Sequence, residues 1–295
     1  MSREKQVFAL GFFDGVHLGH RALLNRCVCL AKEQNATAAA ITFDRHPQRF
    51  FREDAPVLIN TTQDRTALLK ACGMGNVRVY PAVAETMSMP WRSFIDELLA
   101  LGACGFVCGD DFRFGYKGEG NAQKLLQVCA ELGLPCSVVP EQTLDGIRAS
   151  STHIRSLLEQ GKMATAVRFL GHPHILSGKV TSGRHLGRTM GIPTANLRLP
   201  EWIVCPAFGV YACQVEVEGQ IFQAVTNVGM RPTVGGHHIT VESWILDFDG
   251  DLYGSDLSVL FHKFLRPEQK FGSLEELQAQ IRKDALQTRE FFQQA

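Results

Sequence analysis

The chain has 295 residues, and its 30 lysines and arginines balance its 30 aspartates and glutamates. That length suits two domains, each large enough to bury its own core, and zero net charge provides no field that would gather nucleic acid or an anionic membrane. The opening run MSREKQVFALGFF is too short for a signal segment or a membrane span, so the expectation is a cytoplasmic protein whose partners are small molecules, with no handle on its oligomeric state.

Residues 5 to about 140 alternate short apolar runs with stretches of helical periodicity, the pattern of a parallel sheet covered by helices. Strands are predicted at residues 7–10, 38–43, 77–80, 105–108 and 137–139. A helix is predicted where Leu23, Leu24, Cys27, Val28 and Ala31 recur at helical spacing, and another from Thr61 and Asp64 into Leu68 and Leu69. The cysteines include no CxxC pair and sit among apolar residues, so reduced thiols packing as small hydrophobes are expected rather than zinc or disulfides.

The first strand runs straight into Gly11-Phe-Phe-Asp14-Gly15-Val-His17-Leu-Gly19-His20 and the start of a helix. Unpaired amides at such a helix N-terminus suit a phosphate chain, two histidines at this spacing can donate to phosphoryl oxygens, and Gly19 removes a side chain. Alone, the segment reads equally well as a glycine-rich turn with surface histidines. Its companions follow in order: Thr42-Phe-Asp-Arg-His-Pro47 after the second strand, Gly109-Asp-Asp111-Phe112-Arg-Phe114-Gly115 after a later one, and Ser151-Thr152-His-Ile-Arg155 at a helix start. Ligands in open α/β sheets gather at such strand ends. Neither GxxxxGK[ST] nor GxGxxG is present, which argues against a conventional ATPase or NAD enzyme.

This ordered set resembles the FMN adenylyltransferase module of bacterial bifunctional FAD synthetases. The resemblance implies a Rossmann-like nucleotidyltransferase domain over residues 1–171. It also implies in-line attack of the FMN phosphate on the α-phosphorus of ATP, with Mg²⁺ and no covalent enzyme intermediate. By the same resemblance His17 and His20 act on the ATP phosphates, Gly11, Asp14, Gly15, Gly19 and Asp111 form the nucleotide cradle, and Ser151, Thr152 and Arg155 meet the triphosphate.

After residue 150 come two short helices, one carrying Ile154, Leu157 and Leu158 and ended by Gly161, the next spanning residues 164–170 and ended by Gly171. Beyond Pro173 the period becomes two: Tyr211, Cys213, Val215 and Val217 alternate with polar or small residues before a turn at Gly219. Further strands at residues 177–181, 224–227, 240–246 and 257–264 predict a small antiparallel barrel or sandwich. The capping box Ser273-Leu-Glu-Glu276 opens a last helix with Leu277, Ile281 and Ala285 on one face.

Within this half, Pro193-Thr194-Ala-Asn196 places a hydroxyl and an amide oxygen two residues apart. On an extended segment they share a side and would hold one Mg²⁺ on ATP phosphates; a simple turn is the competing reading. Glu242 lies among β-prone residues, either as an outward-facing side chain or as a base placed for chemistry. The ordered set GKV, GRTMGIPTAN, NVGMRPT, VES, LDFDGDLYG and FLRPEQKF resembles the riboflavin kinase module, here residues 174–295. In that family the matching glutamate takes the proton of the riboflavin 5′-hydroxyl as it attacks the γ-phosphorus of ATP. The resemblance further implies Lys179, Thr194 and Asn196 as ATP-binding residues, the last two also as metal ligands. Two other readings stay open at this point: a single-activity enzyme with one half reduced to binding, and a flavin-binding protein without turnover.

Overall fold

The computed structural model describes residues 4–52, 54–181, 192–233, 236–250 and 252–294. Residues 187–191 of the GRTMGIPTAN motif and Asp251 of LDFDGDLYG lie outside them. The chain divides into two compact units, one of Met1–Leu58 with Thr62–Ser151, the other of Ile59–Thr61 with Thr152–Ala295. The two short helices that the sequence reading assigned to the first module cluster with the second unit.

The first unit is built on β1 (Gln6–Leu10), β2 (Thr37–Phe43), β3 (Asn76–Tyr80), β4 (Ala103–Gly109) and β7 (Cys136–Val139), all parallel, in the order β3-β2-β1-β4-β7. Two two-residue hairpins, β5 (Arg113–Phe114) with β6 (Gly120–Asn121) and β8 (Thr143–Leu144) with β9 (Ile147–Arg148), complete its strands. β1 is central and buried along its whole length, which is why its sequence is continuously apolar after Gln6.

The connecting helices are α1 (Leu18–Glu33), α2 (Thr62–Ala71), the short α3 (Ala84–Met87), α4 (Trp91–Ala100) and α5 (Ala122–Leu132). α4 and α5 contribute Phe94, Ile95, Leu98, Leu125 and Val128 to a core with Phe8, Leu10, Ile41 and Phe106 of the sheet. α1 crosses β1, β2 and β4, and its buried Cys27 Sγ donates to the Val7 carbonyl at 3.3 Å. Helices thus cover both faces, as the alternation of periods predicts.

In the second unit α6 (Ser151–Glu159) and α7 (Met163–Leu170) lead into a six-stranded sheet. The strands are β10 (His174–Lys179), β11 (Thr194–Arg198), β12 (Gly209–Val217), β13 (Gln220–Thr233), β14 (Gly236–Ile245) and β15 (Asp256–Arg266). Their order is β10-β15-β12-β13-β14-β11, antiparallel in every pairing. The sheet curls until its two edges meet at one bridge, where Thr181 N donates to Asn196 O at 2.9 Å.

Glu218 and Gly219, with φ of 49° and 79°, form the two-residue hairpin turn between β12 and β13. The last helix, α8 (Leu274–Gln294), packs on β12 and β13. Its capping box is skewed by one residue: Glu276 N donates to Ser273 Oγ at 3.2 Å, while the Glu276 carboxylate accepts from Gly272 N rather than from Ser273. Among the described residues no helix is long and apolar enough to cross a membrane.

Candidate active sites

β1 lies between β2 and β4, so the chain order of the sheet reverses there and a crevice opens beyond the strand's carboxyl end. The loop from Gly11 to His17 fills that position. It turns sharply, with φ of 60° at Phe13, 81° at Gly15 and 41° at Val16. Thr42 Oγ1 donates to the Phe12 carbonyl at 2.7 Å and Ser151 Oγ to the Asp14 carbonyl at 2.8 Å, fixing the loop to β2 and to the last residue of the first unit. Asp14 and His17 are buried in this turn.

His17 is the N-cap of α1 and His20 follows in its first turn, with ring centroids 3.7 Å apart and planes 20° from parallel. Burial first, then His17, then Arg65, hold the His20 imidazole well below its ordinary pKa. In the ligand-free chain His20 is therefore a neutral hydrogen-bonding group, and an arriving phosphate anion would favour its protonated form.

The glycines contribute differently from the sequence expectation. A Cβ on Gly19 would come 3.1 Å from His17 Cε1, and one on Gly11 would come 3.0 Å from the Phe13 ring. Their smallness first makes room for neighbouring side chains of the loop itself.

The other motifs of this unit converge on the same sheet edge. Asp44 Oδ1 accepts from Ala82 N at 2.9 Å, and His46 meets the Phe12 ring edge-on at 5.0 Å. Phe112 stacks on the buried Phe114. Asp111 is exposed and ion-paired with Arg148 at 2.5 Å, an arginine the sequence reading did not single out. Thr152 and Arg155 belong to the second unit, where the Arg155 guanidinium donates to Thr152 Oγ1 at 3.3 Å.

Sequence reasoning also passed over Arg65. It lies on α2 at i, i+3 and i+4 with the buried Leu68 and Leu69, and it is itself completely buried. That spacing was the available signal, because an arginine on the apolar face of a helix needs an explanation.

In the second unit the register brings two of the predicted residues together. Asn196 of β11 stands opposite Glu242 of β14, and Glu242 stands opposite Asn227 of β13. Directly opposed residues share a face of the sheet, so Asn196, Glu242 and Asn227 form one row. Val241 and Ser243 are fully buried in the barrel interior, which puts the half-buried Glu242 on the other face. Of the two readings of the pattern, the register thus gives the outward-facing one.

Thr240 Oγ1 lies 3.4 Å from Glu242 Oε1, and Asn227 Nδ2 lies 3.3 Å from Glu268 Oε1, so Thr240, Asn227 and Glu268 join the residues predicted. Asn196 Nδ2 donates to the Thr194 carbonyl at 3.2 Å, while its Oδ1 is buried without a hydrogen-bond partner among the described residues. Lys179 is exposed and 3.4 Å from the Asp256 carboxylate.

Residues 1–153 match the family model for FAD synthetase and residues 170–292 that for riboflavin kinase. A bifunctional riboflavin kinase/FMN adenylyltransferase of Escherichia coli (strain K12) is 38% identical over 98% of this chain and 94% of its own length. A protein so described from Listeria monocytogenes serovar 1/2a is 34% identical over 97% of this chain and 92% of its own. One from Bacillus subtilis (strain 168) is 32% identical over 98% and 93%. Among solved structures, a Streptococcus pneumoniae protein described as a macrolide-efflux protein superposes with a TM-score of 0.86 at 29% identity, covering 98% of this chain and 95% of that one.

Proposed function

This chain belongs to the bifunctional riboflavin kinase/FMN adenylyltransferase family, and from that membership we propose which of its residues carry each reaction. Its carboxyl-terminal module phosphorylates riboflavin to FMN, and its amino-terminal module adenylylates FMN to FAD. The efflux description of the S. pneumoniae protein is not carried over, because the HxGH, PTAN and VES segments bear on phosphoryl chemistry instead.

For the kinase, the row of Asn196, Glu242 and Asn227 carries the assignment. Glu242 accepts the proton of the riboflavin 5′-hydroxyl as its oxygen attacks the γ-phosphorus of ATP and ADP leaves. The unpartnered Asn196 Oδ1 is a hard oxygen suited to Mg²⁺, which Asn196 and Thr194 would hold together with phosphate oxygens and water. Bound Mg²⁺ would offset negative charge on the phosphoryl oxygens. Lys179 serves the nucleotide as an exposed cation.

For the adenylyltransferase, an FMN phosphate oxygen bonds to the α-phosphorus of ATP and pyrophosphate departs. His17 and His20 hold phosphate oxygens at the α1 N-terminus, and Gly11, Asp14, Gly15 and Gly19 set the loop that brings them there. Ser151 fixes that loop through the Asp14 carbonyl, whereas Asp111, Thr152 and Arg155 keep the nucleotide roles that the family resemblance implies. Balanced charge supports small molecules rather than nucleic acid or membrane as partners, in the cytoplasm where ATP is plentiful.

The test is to incubate the purified chain with riboflavin, ATP and Mg²⁺ and separate the flavins by chromatography. FMN should appear first and FAD after it, and both should stop when Mg²⁺ is withheld. FMN that never becomes FAD would remove the amino-terminal assignment, and unchanged riboflavin would remove the carboxyl-terminal one.

A further inference from the structure

Arg65 is fully buried, yet its guanidinium is only partly bonded. Nη2 donates to the Phe43 carbonyl at the end of β2 and lies 3.4 Å from Thr62 Oγ1. Nε and Nη1 are closed to solvent and have no hydrogen-bond partner among the described residues. Cζ sits 4.5 Å from the centre of the Phe12 ring, on the loop that leads to His17. A guanidinium carries five N–H donors and is costly to bury with donors unused. Burial draws its pKa down to about 10 while Asp14 and Asp44 act in the opposite direction, so it remains a cation at neutral pH.

A buried cation with idle, planar donors beside a phosphate-handling loop is half of an interaction whose other half is an anion. We propose that Arg65 is a phosphate-binding residue of adenylyl transfer, its Nε and Nη1 taking an oxygen of a substrate phosphate at the carboxyl ends of β1 and β2. This rests on the adenylyltransferase reading of the first unit. It adds a buried cation, held against the end of β2, to the groups already assigned to this centre: His17, the neutral His20, backbone amides and the Arg155 that the family resemblance implies. Because both nitrogens are closed to water in the ligand-free chain, the covering side chains must give way to the phosphate, and the low-dielectric surroundings then strengthen the bond. The anion is either the FMN phosphate or a phosphate of ATP, and kinetics separates the two.

The experiment uses the full-length chain with Arg65→Met and Arg65→Lys, measuring adenylylation with FMN and ATP varied in turn and riboflavin phosphorylation on the same samples. Arg65→Met should lower kcat/KM for adenylylation by about 10²–10³-fold, the loss typical of one transition-state donor, with phosphorylation unchanged. Arg65→Lys, which keeps the charge without the planar fork, should fall between this and the parent. A raised KM confined to FMN assigns the flavin phosphate, and one confined to ATP assigns the triphosphate. If Arg65→Met loses the first unit's thermal transition, Arg65→Lys decides, with a fall of at least about tenfold expected.

A folded variant that adenylylates FMN at the parent's kcat/KM would overturn the proposal. So would equal rises in both KM values accompanied by lowered thermal stability, which would mark Arg65 as packing alone. Failure of the unmodified chain to make FAD would instead refute the underlying adenylyltransferase reading.

Discussion

His174, in β10, is buried against Phe261, and neither ring nitrogen has a hydrogen-bond partner among the described residues. Burial, with a smaller contribution from His172, draws its pKa from 6.5 down to about 3. The unfolded chain accordingly takes up this proton first as the solution is acidified. The associated stability is fully present above the unfolded value and is lost as pH falls from 6.5 toward about 3. Between pH 7 and pH 5 the loss from this one group should be about 2 kcal/mol by linkage. Urea unfolding of His174→Leu at the two pH values should show a correspondingly smaller difference than the parent, and an identical difference would contradict the assignment. His262, drawn by burial to about 4, pushes the same way and remains in the variant.

At this scale the motif residues were legible because their types are unusual together: two histidines and three glycines within ten residues, or threonine and asparagine two apart. Arg65 lies outside every motif, and Asn227 and Glu268 lie inside NVGMRPT and FLRPEQKF without standing out there. Their roles depend on which strand or helix lies opposite, and adjacency across a sheet is absent from the local order of residues.

Among the elements, α8 shows how far periodicity carries. Leu277 and Ile281 are half-buried and Ala285 fully buried, as the helical spacing predicts. The residue that anchors the helix is nonetheless Asp284, which an apolar stripe does not reveal. Its side chain is 1% exposed and accepts from Arg266 Nε at 3.0 Å, from Arg266 Nη2 at 2.7 Å and from Gln280 at 2.9 Å, tying α8 to the end of β15. Removing one partner leaves an uncompensated buried charge, so Asp284→Ala should destabilise the second unit by about 3–5 kcal/mol in denaturant titrations. The exposed pair Arg52–Asp54, with side chains 62% and 70% accessible, should cost almost nothing when broken.

Strand lengths were the weaker part of the reading. β13 runs through Gln220–Thr233 instead of residues 224–227, because pairing with β12 carries it back to Gln220 and pairing with β14 carries it on through Gly229 and Pro232. Local propensity alone ends a strand at such residues.

For the whole molecule, the change from alternating periods to period two announced two architectures, a helix-covered parallel sheet and a curled antiparallel one, and both are present. Strand order was not readable, because nothing local says that β1 becomes central. Yet that centrality is what puts the histidine loop at the reversal of the sheet. With the two reactions assigned to separate modules, Glu242→Gln should abolish FMN formation while leaving conversion of supplied FMN to FAD nearly unchanged. His17→Ala or His20→Ala should slow only the second conversion. Measuring both steps on each variant checks this, and parallel losses would contradict the division of labour.

The second unit's sheet is a cylinder with a seam. Its rims join where the Asn196 carbonyl takes the Thr181 amide, and the side chain of that same asparagine belongs to the row containing Glu242. One residue thus fastens the cylinder and, in the assignment proposed above, also meets the metal of the nucleotide. On that assignment, a pull on the side-chain amide would be transmitted through one Cα to the backbone that holds the two rims together.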